Sequence, residues 1–255
     1  MRITILQRPD ATPPEDFADE LERALSSLKD KLSASTRLIR FSSEGWAVVD
    51  VAGSDEEVLI ELVRRQFGQA QTDLSEIALH GNYDGIINGC SDDSLEVDIG
   101  IERPEQLNLN VKLTALRAQL ADGKPLSLGE IVEHYCLHEG TKVSIRVTCL
   151  DTREGTLEGW LADAQIEQFS TWIRTGLDRV QVFNCSRRAV ESAIRRANLW
   201  RDIISVDSLT LTTHSLLCKL GTDAIGLIPK LGSVLRKQQL KPFLPKRIVS
   251  RCRRW

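Results

Sequence analysis

The stretch that decides the fold begins Gly81-Asn-Tyr-Asp-Gly-Ile-Ile-Asn-Gly-Cys-Ser-Asp-Asp-Ser-Leu-Glu-Val-Asp-Ile-Gly-Ile101. It ends Glu139-Gly-Thr-Lys-Val-Ser-Ile-Arg-Val-Thr-Cys-Leu-Asp-Thr-Arg-Glu-Gly-Thr-Leu-Glu-Gly-Trp160. Apolar residues occupy every second position in both parts, with polar residues or glycine between them, and these are Leu95, Val97, Ile99, Ile101, Val143, Ile145, Val147 and Cys149. A period of two indicates half-buried strands. The Ser91–Ser94 and Asp151–Gly155 segments supply turn residues, so each part is predicted to be a pair of strands.

The order of these strands resembles the OB-type barrel of the ribosomal S-one RNA-binding family. The residues that carry the resemblance are the glycine-rich first strand, Val97-Asp-Ile-Gly100 and the strand from Gly140 to Asp151 with the polar hairpin after it. The resemblance covers the first two and the last two strands and implies an OB-like barrel at residues 80–161. Between them, residues 103–138 are predicted to form a largely helical insertion, in which Ser127 and Glu130 make a capping box.

Composition indicates an ordinary globular chain, with 42% hydrophobic and 27% charged residues among 255. No apolar run approaches the roughly 18–20 residues that span a bilayer, and no signal peptide precedes the first strand. The six cysteines form no Cys-x-x-Cys pair. These features predict reduced thiols, a cytoplasmic location and no membrane partner.

Charge is distributed unevenly along the chain. Residues 1–110 hold 22 Asp+Glu against 10 Lys+Arg, whereas residues 111–255 hold 14 against 23. After Asp223 there is no acidic residue, although nine Lys+Arg follow it. Such asymmetry indicates an acidic partner for the basic end.

Residues 1–79 are predicted to be a ferredoxin-like α+β unit with the order β-α-β-β-α-β. Its helices are placed at 15–32 and 55–67, the second with a capping box from Ser54 and Glu57. Strands are expected at Ile3–Leu6, Thr36–Phe41, Trp46–Val51 and Leu74–Leu79, the second and third joined by a hairpin turn at Ser42–Gly45.

Residues 162–232 are predicted to be a second small α+β unit, followed by a basic tail at 233–255. Helices are expected at 162–174 and 187–199, the latter capped by Ser186. Strands are expected at 178–183, 203–206 and 209–213, and Gly221-Thr-Asp223 is interpreted as a hairpin turn between 215–219 and 224–228. Pro242 and Pro245 limit any helix in the tail.

The whole chain also resembles an archaeal family of uncharacterised proteins, in which the chain would be matched over nearly its full length. The residues that carry this resemblance are Tyr83-Asp-Gly85, Glu96-Val-Asp-Ile-Gly100 and Leu217–Gly232. The resemblance implies an archaeal, cytoplasmic protein and brings no activity with it.

His134 and His138 are the weak candidates for a metal site, because two histidines at i and i+4 share one face of a helix. A third ligand at a fixed spacing is not apparent, and a histidine pair near a helix end has an ordinary structural explanation. We therefore predict no metal and no cofactor. The acidic residues Asp84, Asp92, Asp93, Glu96 and Asp98 are interpreted as turn and surface residues.

Motifs of catalysis are absent from the sequence. The segment from Gly221 to Gly226 lacks the Gly-Lys-Ser/Thr ending of a phosphate loop, and no Gly-x-Ser-x-Gly occurs. The enzyme hypothesis is reduced to a metal-dependent hydrolase at His134 and His138, and a non-enzymatic protein is preferred.

The leading hypothesis is an RNA-binding or adaptor protein of the archaeal translation or transcription machinery, whose cations neutralise phosphates. Tyr83 is expected to stack on a base. The expected cationic contacts are Arg187, Arg188, Arg195, Arg196, Lys230, Arg236, Lys237, Lys241, Lys246, Arg247, Arg251, Arg253 and Arg254.

Two alternatives stay open. The tail could pack on the chain's own acidic N-terminal unit, since Coulomb attraction does not distinguish this from RNA binding. The protein could also be a scaffold whose acidic N-terminal unit docks a basic partner. The sequence leaves the partner, the oligomeric state and the order of the tail open.

Overall fold

The computed structural model describes residues 1–9, 14–151 and 155–252. The fold is mixed α+β, with a closed five-stranded barrel between two smaller α+β units, and the described part holds eight α-helices. The first unit consists of β1 (Arg2–Ile5), α1 (Pro14–Leu28), β2 (Ala34–Phe41), β3 (Ala47–Gly53) and α2 (Glu56–Phe67). Its antiparallel sheet has the order β1-β3-β2, and both helices pack on it through a buried apolar core.

The fourth strand predicted for this unit at Leu74–Leu79 is wrong. Leu74–Glu76 form one 3₁₀ turn, which Asp73 caps by accepting hydrogen bonds from the Ser75 backbone N (3.0 Å) and Oγ (2.6 Å). Among the residues that the structure describes, the free edge of β1 pairs only with the short segment around Gln69. The predicted Ser54–Glu57 capping box is also wrong, because α2 begins after Asp55 without a side-chain cap.

The barrel consists of β4 (Asn82–Cys90), β5 (Ser94–Ile101), β6 (Leu107–Lys112), β7 (Lys142–Asp151) and β8 (Thr156–Leu161). Its strand order is β4-β5-β6-β8-β7, closed by pairing of β7 with β4, and β6 and β8 are the parallel pair. Seven of the eight alternating residues of the opening stretch fill its interior. The eighth, Cys149, is exposed instead, because the register of β7 against β8 shifts between Val147 and Cys149. The prediction of a central barrel is confirmed.

The segment 103–138 is less helical than predicted, because it supplies barrel strand β6. Only α3 (Leu113–Leu120) and α4 (Leu128–Tyr135) are helical there. The capping box is confirmed, since the Ser127 Oγ accepts from the Glu130 backbone N and the Glu130 carboxylate accepts from the Ser127 backbone N. The alternation from Leu107 to Lys112 was the missed signal.

The first unit buries one edge of the barrel. Asp98, expected on the solvent side of its strand, is 1% exposed and forms an ion pair with Arg8 at 3.0 Å. Arg8 also lies 4.6 Å from the ring centre of the buried Trp46. Gly100 (φ +89°) approaches Ala70 so closely that a β-carbon would lie 2.4 Å from the alanine methyl. The two units are therefore joined by a packed junction.

The C-terminal region comprises α5 (Asp163–Thr175), β9 (Arg179–Val182), α6 (Arg187–Arg196), β10 (Ile203–Ser208), β11 (His214–Cys218), α7 (Ala224–Val234), β12 (Leu240–Phe243) and α8 (Pro245–Arg251). Strands β9 to β12 form an antiparallel sheet with the order β10-β11-β9-β12. From β9 onward the chain runs β-α-β-β-α-β, the order that was expected of the first unit. The core between this sheet, α6 and α7 is apolar.

Two predictions for this region are wrong. Residues 209–213 form a series of bends rather than a strand. Residues 224–228 begin helix α7 instead of closing a hairpin, because the Asp223 carboxylate caps the helix by accepting from the backbone N of Ile225 and Gly226. The Ser186 cap of α6 is confirmed, with the Ala189 backbone N donating to Oγ at 3.3 Å.

The basic tail is part of the fold up to Cys252. Strand β12 pairs with β9, and α8 packs on α4 and α5. Phe243, Ile248 and Cys252 are completely buried in the barrel's core cluster. The alternative that the tail lies on the acidic N-terminal unit is wrong over 233–252, and the last three residues lie outside the described ranges.

All six cysteines are free thiols. In the described part of the chain, each helix falls short of the length and apolarity needed to cross a membrane.

Candidate nucleic-acid interface

Helix α6 presents its arginines to solvent. Val190, Ala193 and Ile194 turn inward toward the sheet, so that Arg187, Arg188, Arg195 and Arg196 are exposed on the outer side. Arg187 is paired with Glu191 at 2.9 Å. Within the described residues, the other three arginines form no ion pair, and their charge is available to a ligand.

An exposed tryptophan follows this helix and was not weighed in the sequence analysis. Trp200 is 57% exposed, and the Arg201 guanidinium lies 4.8 Å from its ring centre. The Trp200 Nε1 donates to Asn198 Oδ1 at 3.1 Å, which fixes the orientation of the indole. Arg188, Arg195, Arg196, Trp200 and Arg201 are together called the α6 surface. The signal in the sequence was an aromatic residue directly after a basic helix.

The structure divides the tail cations between separate places. Lys230, Arg236 and Lys237 are exposed on α7 and the turn after it. Lys241 pairs with Glu133 at 2.8 Å. Lys246, Arg247 and Arg251 belong to α8, on the side of the fold where α4 lies. Arg253 and Arg254 lie outside the described residues. Over the described part of the tail, the cations do not form one continuous strip.

A cleft of about 460 Å³ lies between α4 and α8. Arg247 and Arg251 line it opposite Glu130 and Glu133, so acidic and basic side chains are mixed at its walls. His134 also lines it, and burial, together with the nearby Arg247, lowers the pKa of that imidazole. The mixed charges make this cleft a weaker phosphate site than the α6 surface.

Tyr83 is engaged within the fold. Its hydroxyl accepts from the Ala78 backbone N at 2.8 Å and donates to the Glu76 carbonyl at 3.3 Å. Its ring lies against Gly81, where an added β-carbon would be 2.7 Å from the ring edge. These contacts favour a role in holding the loop before the barrel over the expected stacking on a base.

The premise of a metal site at His134 and His138 is wrong, because α4 ends at Tyr135 and Cys136 adopts a left-handed conformation. The two imidazoles therefore do not share a helix face. His138 packs edge-on against Phe183, whereas His134 faces α8. The described residues contain no group of three or more His, Cys, Asp or Glu that could hold a metal ion.

A serine and a histidine that the sequence analysis did not pair lie together beneath α6. His214 Nε2 lies 2.9 Å from the Cys185 carbonyl oxygen, which can only accept, so Nδ1 accepts from Ser208 Oγ at 3.1 Å. Burial lowers the pKa of His214 to about 4. An imidazole this weakly basic does not activate a serine near neutral pH, so the pair is a structural contact rather than a catalytic dyad.

This burial makes stability depend on pH. The unfolded imidazole takes up a proton near its ordinary pKa of about 6.5, whereas the folded one does so only near 4. The unfolded state therefore binds more protons between these values, and the free energy of unfolding falls with falling pH. We expect His214 to account for a loss on the order of 3 kcal/mol between pH 7 and 4.

The measurement is urea unfolding at both pH values for the natural protein, His214→Gln and the control His80→Gln. The pH-dependent loss shrinks in His214→Gln and persists in the control, because His80 is exposed. Equal losses in all three proteins would contradict the assignment.

The acidic side chains of the first unit are partly neutralised by neighbours. Glu20 pairs with Arg23 at 2.5 Å and Glu61 with Arg65 at 2.9 Å. Asp55 accepts from the Ser33 backbone N at 2.7 Å. Helix-surface ion pairs of this kind are ordinary solvated surface, and these contacts give the scaffold alternative no specific docking site.

Comparison with known proteins gives one family match. Residues 177–241, which run from just before β9 into β12, match the family described as DUF2110 C-terminal domain. The match supports relatedness to that family in the C-terminal unit, over about a quarter of the chain. A search of curated proteins finds no match.

Similar solved structures are distant. A complex of a/eIF2alpha, aDim2p and rRNA from Pyrococcus horikoshii OT3 is 12% identical, with a TM-score of 0.26 over 50% of this chain and 70% of that one. The intact alpha subunit of aIF2 from Pyrococcus abyssi is 9% identical, with a TM-score of 0.26 over 66% and 98%. A multidomain protein with nucleic acid binding domains from Streptococcus pneumoniae TIGR4 is 8% identical, with a TM-score of 0.21 over 77% and 48%. At these TM-scores the likenesses carry no argument.

Proposed function

We propose that this protein is a non-enzymatic RNA-binding protein that holds single-stranded RNA on the α6 surface. The observation that carries the proposal is the set of three exposed arginines of α6, which form no ion pair among the described residues, followed a few positions later in the chain by the exposed Trp200–Arg201 stack. Arginines neutralise backbone phosphates, and an exposed indole stacks on a base. A base must be unstacked to meet that ring, which favours single strands over duplexes.

The barrel supports the same class of function, although not as the main contact surface. A five-stranded barrel with this strand order is of the OB type, whose second and third strands and adjoining loops bind oligonucleotides in other proteins. Here those strands are β5 and β6, and the β4–β5 turn carries Asp92 and Asp93 while β5 turns Glu96 outward. This acidic edge repels phosphate, which favours the α6 surface.

We further propose that the protein acts in the archaeal cytoplasm, with the translation or transcription machinery. The C-terminal unit and the barrel are proposed to act there as one body. Buried contacts of β12 and α8 join the two parts. Lys230, Arg236 and Lys237 are exposed on α7, which packs beside α6, and on the turn after it. They add to the positive field around the α6 surface and steer RNA toward it.

The test is fluorescence anisotropy of a labelled single-stranded RNA at several salt concentrations. Arg188→Gln, Arg195→Gln and Arg196→Gln, combined in one variant, remove three phosphate contacts. The slope of log K against log salt should therefore become shallower by about 2, since each phosphate contributes about 0.7 for single strands.

The matched control combines Arg37→Gln, Arg40→Gln and Arg64→Gln, three exposed arginines of the first unit. This control changes the net charge equally and should leave the slope close to that of the natural protein. Equal slopes for the two variants would place the RNA elsewhere. The scaffold alternative would instead be favoured if this protein captures a partner protein, the capture persists after nuclease treatment, and it requires the acidic helices of the first unit.

A further inference from the structure

A cleft of about 350 Å³ lies where the barrel, α2, α5 and the C-terminal sheet meet. Asp84 and Lys142 line it from the barrel, Gln165 from α5 and Gln181 from β9. The volume lies within the range of pockets that hold small organic molecules. The α6 surface does not include any of these residues.

Gln181 has an unmet hydrogen-bonding requirement. It lines the cleft and is 1% exposed, yet its Oε1 has no hydrogen-bond partner among the described residues. A buried amide without a partner lowers stability, and such groups are uncommon in folded proteins. A ligand with an N–H group would supply the missing donor.

The opposite wall is rigidly hydrogen-bonded. Gln165 accepts from the Ser144 backbone N at 3.1 Å and donates to Gln168 Oε1 at 2.9 Å. Asp84 accepts from Ser144 Oγ at 2.6 Å and pairs with Lys142 at 2.8 Å. These contacts hold the polar groups in place before any ligand arrives, which lowers the entropic cost of binding.

Aromatic rings complete the lining. Tyr135, Phe169 and Trp172 all contribute to the cleft, and Phe169 and Trp172 pack edge to face at 6.1 Å. The Arg179 guanidinium lies 4.5 Å from the Trp172 ring centre and holds the indole from the same face of the sheet as Gln181, two residues further along β9. Aromatic rings beside fixed amides suit a flat ligand with polar edges.

We propose that this cleft binds one nucleobase, with a ring N–H or amino group of the base donating to Gln181 Oε1. The base has two sources, a free nucleotide or an unstacked base of bound RNA, and the RNA form rests on the proposed function. Glutamine amides recognise base edges in protein–nucleic acid complexes, and single-stranded bases are commonly inserted into such pockets.

The experiment is calorimetric titration of the full chain with the four ribonucleoside 5′-monophosphates, with ribose 5-phosphate as the probe that lacks a base. We expect at least one nucleotide to bind and ribose 5-phosphate not to bind. Gln181→Leu should weaken nucleotide binding about tenfold while raising the melting temperature, because the unpaired amide is removed. Gln239→Leu, the same change at an exposed position, is the control and should alter neither.

Measuring RNA binding as well distinguishes the proposed nucleobase cleft from the proposed RNA interface on the α6 surface. If the base comes from RNA, Gln181→Leu lowers RNA affinity without changing the salt slope, because no phosphate contact is lost. Nucleotide binding without any RNA binding would support the cleft and overturn the proposed function. Unchanged affinities of Gln181→Leu for both nucleotides and RNA, or no binding of either ligand by the natural protein, would overturn the cleft.

Discussion

Phe243→Ala is expected to lower the free energy of unfolding by about 3–5 kcal/mol, the usual cost of emptying a buried phenylalanine site. Phe243 is completely buried and packs against Tyr135, Phe169 and Trp172, with ring centres 6.5, 6.4 and 5.3 Å away. These partners belong to α4 and α5, so the loss would measure how firmly the basic tail is joined to the barrel.

Urea unfolding checks this expectation, with Leu220→Ala as the matched control. Leu220 is 83% exposed, and its truncation should change stability by no more than about 0.5 kcal/mol. Equal, small effects of the two changes would show that the tail is detached from the rest of the fold. The same packing bears on how the tail's contribution to RNA binding can be tested. A truncated chain that ends near Gly232 would lose β12 and α8 and is expected to be unstable, so weaker RNA binding by it would not report on the tail alone.

Arg8→Ala is expected to cost a similar amount, about 3–5 kcal/mol, because it leaves a buried carboxylate without its partner. Arg8 donates to Asp98 at 3.0 Å and to Asn88 Oδ1 at 3.1 Å, and it stacks on Trp46. Burial already raises the pKa of Asp98 even with the arginine present. Loss of Arg8 raises it further, so the stability deficit should shrink as the pH falls and the carboxyl becomes protonated.

Arg2→Ala serves as the control for this junction, since the Arg2–Asp50 pair is exposed and 3.8 Å apart. Such pairs contribute about 0–1 kcal/mol. The double variant Arg8→Met with Asp98→Leu should recover most of the loss, because no charge is then buried. A double variant as unstable as the sum of the two single changes would contradict this explanation.

The sequence predicted correctly those helices and strands that depend mainly on neighbouring residues. The alternating hairpins gave β4, β5, β7 and β8, and the Ser127–Glu130 box gave the start of α4. Helix α7 was missed because Gly226, Pro229 and Gly232 all disfavour a helix. Burial of Leu227 and Leu231 and the Asp223 cap outweigh those preferences.

The candidate sites, too, could be predicted only where they depend on residues close together in the sequence. The exposed face of α6 follows from amphipathic spacing, and its arginines could be read directly from the sequence. The burial of Asp98 could not, since it depends on a distant arginine, Arg8. The cleft at Gln181 joins residues from position 65 to position 209, which only tertiary packing brings together.

The most direct test of the central claim is the affinity of the natural protein for single-stranded RNA between 50 and 200 mM salt. We expect measurable binding at low salt and a log–log slope of about −3, as for roughly four phosphate contacts. A clear preference for single strands over a duplex should accompany it, because Trp200 needs an unstacked base. No binding at the lowest salt, or binding that does not change with salt, would contradict the assignment of the α6 surface as an RNA interface.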